Sequence, residues 1–469
     1  MKLTFWGAAR QVTGSMHLLE TQSGYKVLVD CGLDYEQQRF FHDNPPNSFP
    51  FDPAAIDVVL LTHAHIDHSG NLPNLVRQGF KGNIICTPPT ADLIKHLLFD
   101  SANIQAFDYK KSKSKGKGKL KKPTPKPLYG HQDVVRCMEK VLTLNFHKAF
   151  RLNDELEFTF YEAGHLLGAA CIHLNYEEEG KKGSIGFTGD LGRKGSKLVR
   201  DPEQMPEVDY LVTETTYGGR SHKVKNIAED ELLAHVKNTC LDINGKLIIP
   251  AFSVGRTQAI IYTLNRLHKK GLLPKIKVFV DSPLALRTTP YYEHYENLLN
   301  EEAKSFFETY GDLFSFEQLT FVQGIHDEHD LNYTQEPCII VSAAGMVEGG
   351  RIQEHVKNHI GNPFSTILIA GFCAEGTLGH RLLQGQPSIN IKHREMRVYA
   401  QIKSTDVFSS HADQEQLIQN TLAYNSKRLK KAFLVHGDER SMELFSSTMQ
   451  QLHFDKCHIP DKGETYLLV

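Results

Sequence analysis

A chain of 469 residues is too long for one ordinary hydrophobic core, so two domains are expected. A hydrophobic share of 40%, a charged share of 23% and a formal net charge of -2 describe a globular protein, and no apolar run reaches the roughly 18 residues that a membrane helix needs. The chain enters an apolar segment, Leu3-Thr4-Phe5-Trp6, with no basic leader, and its eight cysteines lie scattered without CxxC pairing; a cytoplasmic protein with reduced core thiols, among them Cys31, Cys338 and Cys373, is expected.

Taken in chain order, strand-like runs at 25–30 and 58–61 come first. The second leads into Thr62-His63-Ala64-His65-Ile66-Asp67-His68-Ser69-Gly70, which packs three imidazoles and a carboxylate into six positions. The bland alternative is a polar loop of solvated histidines. So many ligand-type groups this close favour a metal site, and two ions rather than one: His63 and His65 share a face of an extended strand end, while a turn through Ile66 brings Asp67 and His68 to a second ion. Most other histidines, including His147, His268 and His294, read as surface or packed residues.

Further strands are expected at 84–86, 156–161, 172–176, 184–188 and 210–213. Between them, residues 110–126 hold nine lysines with Ser, Gly and Pro, a composition that predicts a disordered or hairpin-tip excursion from residue 110 onward. A solvated loop is the plain reading of it, and an arm that attracts polyanions the functional one. From residue 228 the rhythm becomes helix (228–240), strand (246–250), helix (257–269) and strands at 277–280, 339–342 and 366–370, which implies a parallel sheet with crossover helices. The end of the chain returns to the first pattern: Ser409-Ser410-His411-Ala412-Asp413 precedes a helix, and Ala432-Phe433-Leu434-Val435-His436 is a strand ending in a ligand-type residue. An inserted domain explains this order, with a first domain in two parts, 1–215 and 404–469, interrupted by 216–403. The site is then expected in the cleft between the two domains.

His63-Ala64-His65-Ile66-Asp67-His68 resembles the HxHxDH signature of the metallo-β-lactamase superfamily. Asp30 in Val29-Asp30-Cys31-Gly32, His165 in Gly164-His165-Leu166 and Asp190 in Thr188-Gly189-Asp190-Leu191 match its other motifs, each after an apolar run. The resemblance implies an α/β fold, an αββα sandwich, with one metal on His63, His65 and His165, the other on Asp67, His68 and a later His, and Asp190 bridging. Nitrogen and carboxylate donors without thiolates suit two Zn²⁺ ions, with Mn²⁺ as the alternative. Asp30 is read as supporting a ligand imidazole or loop backbone rather than as a ligand.

The insertion resembles the β-CASP domain of the superfamily's nucleases. Glu214 in Thr213-Glu214-Thr215-Thr216-Tyr217 matches its acidic motif A, His411 motif B and His436 motif C. His436 resembles the RNA-cleaving members, whereas the DNA-processing branch usually carries an apolar residue there. The likeness extends to the endonuclease subunit of the pre-mRNA 3′-end cleavage machinery and its compact bacterial and archaeal relatives. It implies a zinc-dependent ribonuclease acting on single-stranded RNA. Asp67 and Asp190 would take part in catalysis as ligands, His411 would protonate the leaving oxygen, and Glu214 would orient it. The plain alternative for Glu214 and His411 is a structural pair bracing the domain hinge.

Three glycine-containing turns after strands of the insertion, at 250–256, 344–351 and 371–377, are expected to offer backbone N–H groups to phosphates. Arg256, Arg351, Ser253, Gly349 and Gly350 are the candidate contacts. Internal versus 5′-to-3′ cleavage stays open, as does association into a homodimer. A DNA-processing nuclease, a small-molecule metallohydrolase and a silent RNA-binding subunit are the competing readings; the second leaves the long insertion and His411 idle.

Overall fold

The run Leu156–Glu162 alternates buried with exposed or half-buried side chains, the pattern of a strand with one wet face. Tyr210–Glu214 is buried at every position, as a strand covered on both faces must be. Strands of both kinds build the larger part of the molecule in a computed structural model that describes residues 1–34, 48–114, 126–222, 227–324, 331, 334–391 and 394–468.

One compact unit comprises Met1–Lys194, Asp201–Ser221 and His411–Val469. It holds two seven-stranded sheets. Leu3, Phe5, Val27, Val29 and Leu60 of the first share a core with Phe158, Phe160, Ile172, Phe187 and Phe433 of the second. Helices Leu72–Arg77, Pro88–Ser114 and His131–Met138 pack on one another beside the first sheet's edge strand Val141–Thr143; Gln414–Ala423 and Glu439–Gln451 pack together, the latter on strand Lys431–Val435. This is an αββα sandwich. Strands Lys26–Val29, Val58–Leu60 and Asn83–Cys86 run parallel, as do Lys181–Phe187, Tyr210–Glu214 and Lys431–Val435. Parallel strands release their following loops at one edge, and those loops carry Asp30, residues 62–68, Asp190 and His436.

The second unit comprises Gly195–Arg200 and His222–Ser410. The six strands of its main sheet, in the order Leu319–Phe321, Lys277–Asp281, Cys338–Ser342, Lys246–Pro250, Thr366–Ala370, Gln401–Thr405, are parallel at every pairing, and Ser388–Ile391 and Arg394–Arg397 form a separate antiparallel pair. Gly195–Arg200 belongs here through Asn300, whose backbone N–H donates to Leu198 O at 2.8 Å and whose side-chain amide donates to Ser196 O at 2.7 Å.

Two elements differ from expectation. The helix expected at 228–240 is α-helical over Ala228–Val236 and then widens into a π-helical stretch, Lys237–Asp242. The wider turn buries Thr239, whose hydroxyl donates to Thr366 Oγ1 at 2.9 Å on the neighbouring strand. The excursion expected from residue 110 begins as the last turns of helix Pro88–Ser114, because lysine is nearly as good a helix former as leucine and Gly116 lies beyond that end. Residues 115–125 of that stretch lie outside the described ones. All eight cysteines are free and seven are buried. Among the described residues no helix is long and apolar enough to cross a membrane.

Candidate metal centre

Strand Val58–Leu60 ends before the histidines, so His63 and His65 lie in a loop rather than on a strand end. Asp67 and His68 come round on a single helical turn, Ile66–Ser69. Asp30 clamps the start of this loop: its Oδ1 accepts from Thr62 N–H at 2.8 Å and its Oδ2 from Thr62 Oγ1 at 2.9 Å. The helical turn is laced to the preceding strand, with Cys31 N–H donating to His68 O at 2.7 Å and Ser15 N–H to Asp67 O at 2.8 Å. Gly32 permits that approach, since a Cβ there would lie 1.6 Å from Asp67 O.

The loops bring the ligand-type residues together in two groups, with a third set, Asp190, Glu214 and His436, overlapping them. His63, His65, His165 and Asp190 form one, and Asp67, His68 and His436 the other, with donor atoms in each within 4.8 Å of one another. Asp190 turns one oxygen to each group. Its Oδ2 lies 3.6 Å from His63 Nε2 and 3.5 Å from His165 Nε2, and its Oδ1 lies 3.2 Å from His68 Nε2 and 3.5 Å from His436 Nδ1. Imidazole nitrogens meet at 3.1–3.2 Å in three places: His63 with His65, His65 with His165, and His68 with His436. Nitrogens that close need a shared proton or a shared cation, and the grouping of four donors around one point fits a cation.

The electrostatics point the same way. Burial holds the pKa values of His63, His65 and His165 below the usual imidazole value, leaving neutral rings with lone pairs to give. Burial also opposes charge on His68 and His436, but Asp190, helped by Asp30 and Asp67 respectively, overrides it and raises both. Asp190 is buried as well; the surrounding His436, His68 and His63 outweigh that penalty and keep it ionised. A cation would take the place of the protons on His68 and His436.

Beside these groups, His411 Nδ1 faces both oxygens of the fully buried Glu214, at 3.3 and 3.2 Å. Glu214 is itself fixed, accepting from Leu191 N–H at 2.5 Å. Burial disfavours a charged His411, and the Glu214 carboxylate outweighs it to raise the pKa. The His411 ring lies 4.4 Å from that of His165.

Sequence reading did not single out Thr62 or Thr216. Thr216 Oγ1 lies 3.0 Å from His436 Nδ1 and donates to His436 O at 3.0 Å. A hydroxyl that gives its proton to the carbonyl can only accept from Nδ1–H, which leaves Nε2 as the free lone pair. His436 also stands at φ +51°, a left-handed conformation held by its own N–H on Ala8 O at 2.7 Å. The signal was present in Glu214-Thr215-Thr216, but which histidine the hydroxyl serves is a matter of tertiary contact. Thr216→Val is expected to weaken one of two bound metals about 10- to 100-fold while Thr216→Ser restores it, as titration with a metal-indicator dye would show.

In the second unit, Arg351 Nη1 donates to the buried Asp281 Oδ1 at 2.6 Å, and His355 Nε2 meets Asp281 Oδ2 at 2.7 Å. Arg351 remains partly exposed, beside Gly349 and Gly350 at φ +77° and +68°. Ser253 Oγ lies 2.9 Å from Ser282 Oγ. Arg256 is placed differently from the others. Only 6% exposed, it stacks on Phe252 at 4.7 Å and fills the space that Gly371 leaves, where a Cβ would come within 2.6 Å of Nη2. It braces the turns from within.

Models of three families match the chain: the metallo-beta-lactamase superfamily over residues 9–220, the Beta-Casp domain over 257–382 and a Zn-dependent metallo-hydrolase RNA specificity domain over 395–460. The chain is 30% identical over 442 residues to Ribonuclease TTHA0252 of Thermus thermophilus, covering 94% of each protein. It is 30% identical over 470 residues to an RNase J-like protein of Methanocaldococcus jannaschii, covering 98% of each. With Transcription termination factor FttA of Methanosarcina mazei it shares 29% identity over 97% of this chain and 70% of that protein. Relatives aligned from end to end at this identity, together with the matches to the metallo-beta-lactamase and Beta-Casp models, show that the chain belongs to the β-CASP family of the metallo-β-lactamase superfamily.

Proposed function

We propose that this chain is a metal-dependent ribonuclease that hydrolyses phosphodiester bonds of single-stranded RNA. The observation that carries this reading is the two-sided Asp190, one oxygen toward each group of ligand-type side chains, with the His411 and Glu214 pair beside them. His63, His65 and His165 would hold one ion, Asp67, His68 and His436 the other, and Asp190 both. Nitrogen and carboxylate donors without thiolate favour Zn²⁺, with Mn²⁺ as the alternative. When bound, such a pair supplies Lewis acidity and offsets charge on a phosphodiester.

The protein's own groups do the rest. Asp30, on His68 Nδ1 at 2.6 Å, fixes that ring with Nε2 turned to the centre. Glu214 engages His411 through Nδ1, and Nε2 is the atom assigned to protonate the leaving oxygen. Arg351, Ser253, Gly349 and Gly350 would contact backbone phosphates, with Arg351 held in place by Asp281. The RNA specificity domain match and the ribonuclease names of two relatives support RNA as the substrate.

The test is metal analysis of the purified chain followed by digestion of 5′- and 3′-labelled single-stranded RNA and matched DNA. Two equivalents of zinc and selective cleavage of RNA are expected, and the label positions distinguish internal from 5′-end cleavage. Preferential cutting of the DNA, or no hydrolysis with both ions loaded, would sink the reading.

A further inference from the structure

His17 lies on strand Met16–Glu20 of the first unit, 3% exposed, and belongs to neither group of ligands. Its ring stands edge-on to Phe5 at 5.5 Å and stacks on Phe187 at 6.2 Å, between side chains of the two sheets. A phenylalanine would fill such a place without burying two polar nitrogens, so the imidazole calls for a polar reason. Burial pushes its pKa down to about 3, which leaves a neutral ring with one N–H to give and one lone pair.

The polar neighbours of the ring lead to the metal centre. His17 Nε2 lies 3.5 Å from Ser15 Oγ, and Ser15 Oγ donates to Asp30 Oδ2 at 3.4 Å. That same oxygen meets His68 Nδ1 at 2.6 Å. The backbone fixes the serine in this place, since Ser15 N–H donates to Asp67 O at 2.8 Å and Gly32 N–H to Ser15 O at 3.0 Å. A hydroxyl has one proton, and a carboxylate oxygen only accepts. Ser15 therefore gives its proton to Asp30 and accepts from His17 Nε2–H, which puts the lone pair of the ring on Nδ1. His17 Nδ1 is buried with no hydrogen-bond partner among the described residues. A cavity of about 10 Å³ adjoins the ring and is lined as well by Asp30, Thr62, His68 and His436; it has the room of a single water molecule, which can donate to a ring nitrogen.

We propose that His17 is a positioning residue for the metal centre: through Ser15 it holds the Asp30 carboxylate against His68, and so fixes the imidazole that serves the ion of Asp67, His68 and His436. The proposal rests on the two-ion reading. A histidine kept only for packing would leave the metals untouched when replaced by phenylalanine, whereas an imidazole at the head of this chain of donors would not.

The experiment is titration of the metal-free chain with Zn²⁺ in the presence of an indicator dye, alongside its melting temperature. His17→Phe should weaken one of the two ions about 10-fold, the lower end of what such supporting contacts are worth because these are long, and leave the other ion and the melting temperature near wild type. His17→Gln, whose amide N–H can take the place of Nε2–H, should restore the affinity. Ser15→Ala should weaken the same ion, and the double variant with His17→Phe should be no worse than Ser15→Ala alone, because His17 acts through that hydroxyl. In the wild-type chain the ring ¹⁵N shifts of His17, identified by their absence from His17→Gln, should place the proton on Nε2. That measurement decides the case even where a variant melts early. Two ions bound as tightly in His17→Phe as in wild type, a glutamine no better than phenylalanine, losses that add in the double variant, or a proton on Nδ1 overturns the assignment and leaves the two-ion reading standing. A wild-type chain that takes up no metal removes both.

Discussion

Asp190→Ala should abolish RNA hydrolysis and strip metal from both groups of ligands at once. The reason is geometric: Asp190 is the residue whose two oxygens face His63 and His165 on one side and His68 and His436 on the other. Without it, the group of His63, His65 and His165 loses its carboxylate and the other keeps only that of Asp67, while four buried imidazoles and the half-buried His65 crowd together with less negative charge to offset a cation. The expected loss in kcat is about 10³-fold or more, since metal Lewis acidity is worth several kcal/mol. A His63/His65 double substitution should empty mainly the group built on those two rings. Metal analysis after dialysis separates the cases. RNA binding in a filter assay should partly survive in both, because the proposed phosphate contacts lie elsewhere in the chain. Full activity in a metal-depleted variant would end the mechanism.

The dense cluster at 63–68 was legible because four ligand-type groups in six positions have few other uses, and Asp30 and Asp190 were legible because each follows an apolar strand. Their allotment to groups came from the family resemblance rather than from spacing, since it depends on loops from distant strands meeting at one edge of the sandwich, and the grouping of donor atoms agrees with it. Local chemistry misled where tertiary packing overrode it. His63 and His65 lie in a loop where alternation suggested an extended strand end, and Arg256 is drawn inward by the space beside Gly371 although its place in a glycine-containing turn suggests an exposed phosphate contact. Thr216 went unnoticed because a threonine carries no metal-ligand signature of its own.

His411→Ala should behave in the opposite sense to Asp190→Ala, keeping both metals and losing rate. His411 is absent from the ligand groups and is paired instead with Glu214, so its removal subtracts a proton donor without opening either group. General acid catalysis is worth about 10²- to 10⁴-fold, and kcat should fall by that much with metal content unchanged. Substrates with a better leaving group should recover part of the loss, because they need less protonation. Glu214→Gln refines the assignment. The carboxylate raises the pKa of His411 against the penalty of burial, so its loss lowers that pKa and the proton is given up at lower pH. An acid that must be protonated to act then fails sooner as pH rises, and the alkaline limb of the pH–rate profile should move to lower pH while the metals stay. Loss of metal in His411→Ala would make His411 a ligand and reopen the role of His436; an unmoved alkaline limb in Glu214→Gln would reduce Glu214 to a structural brace.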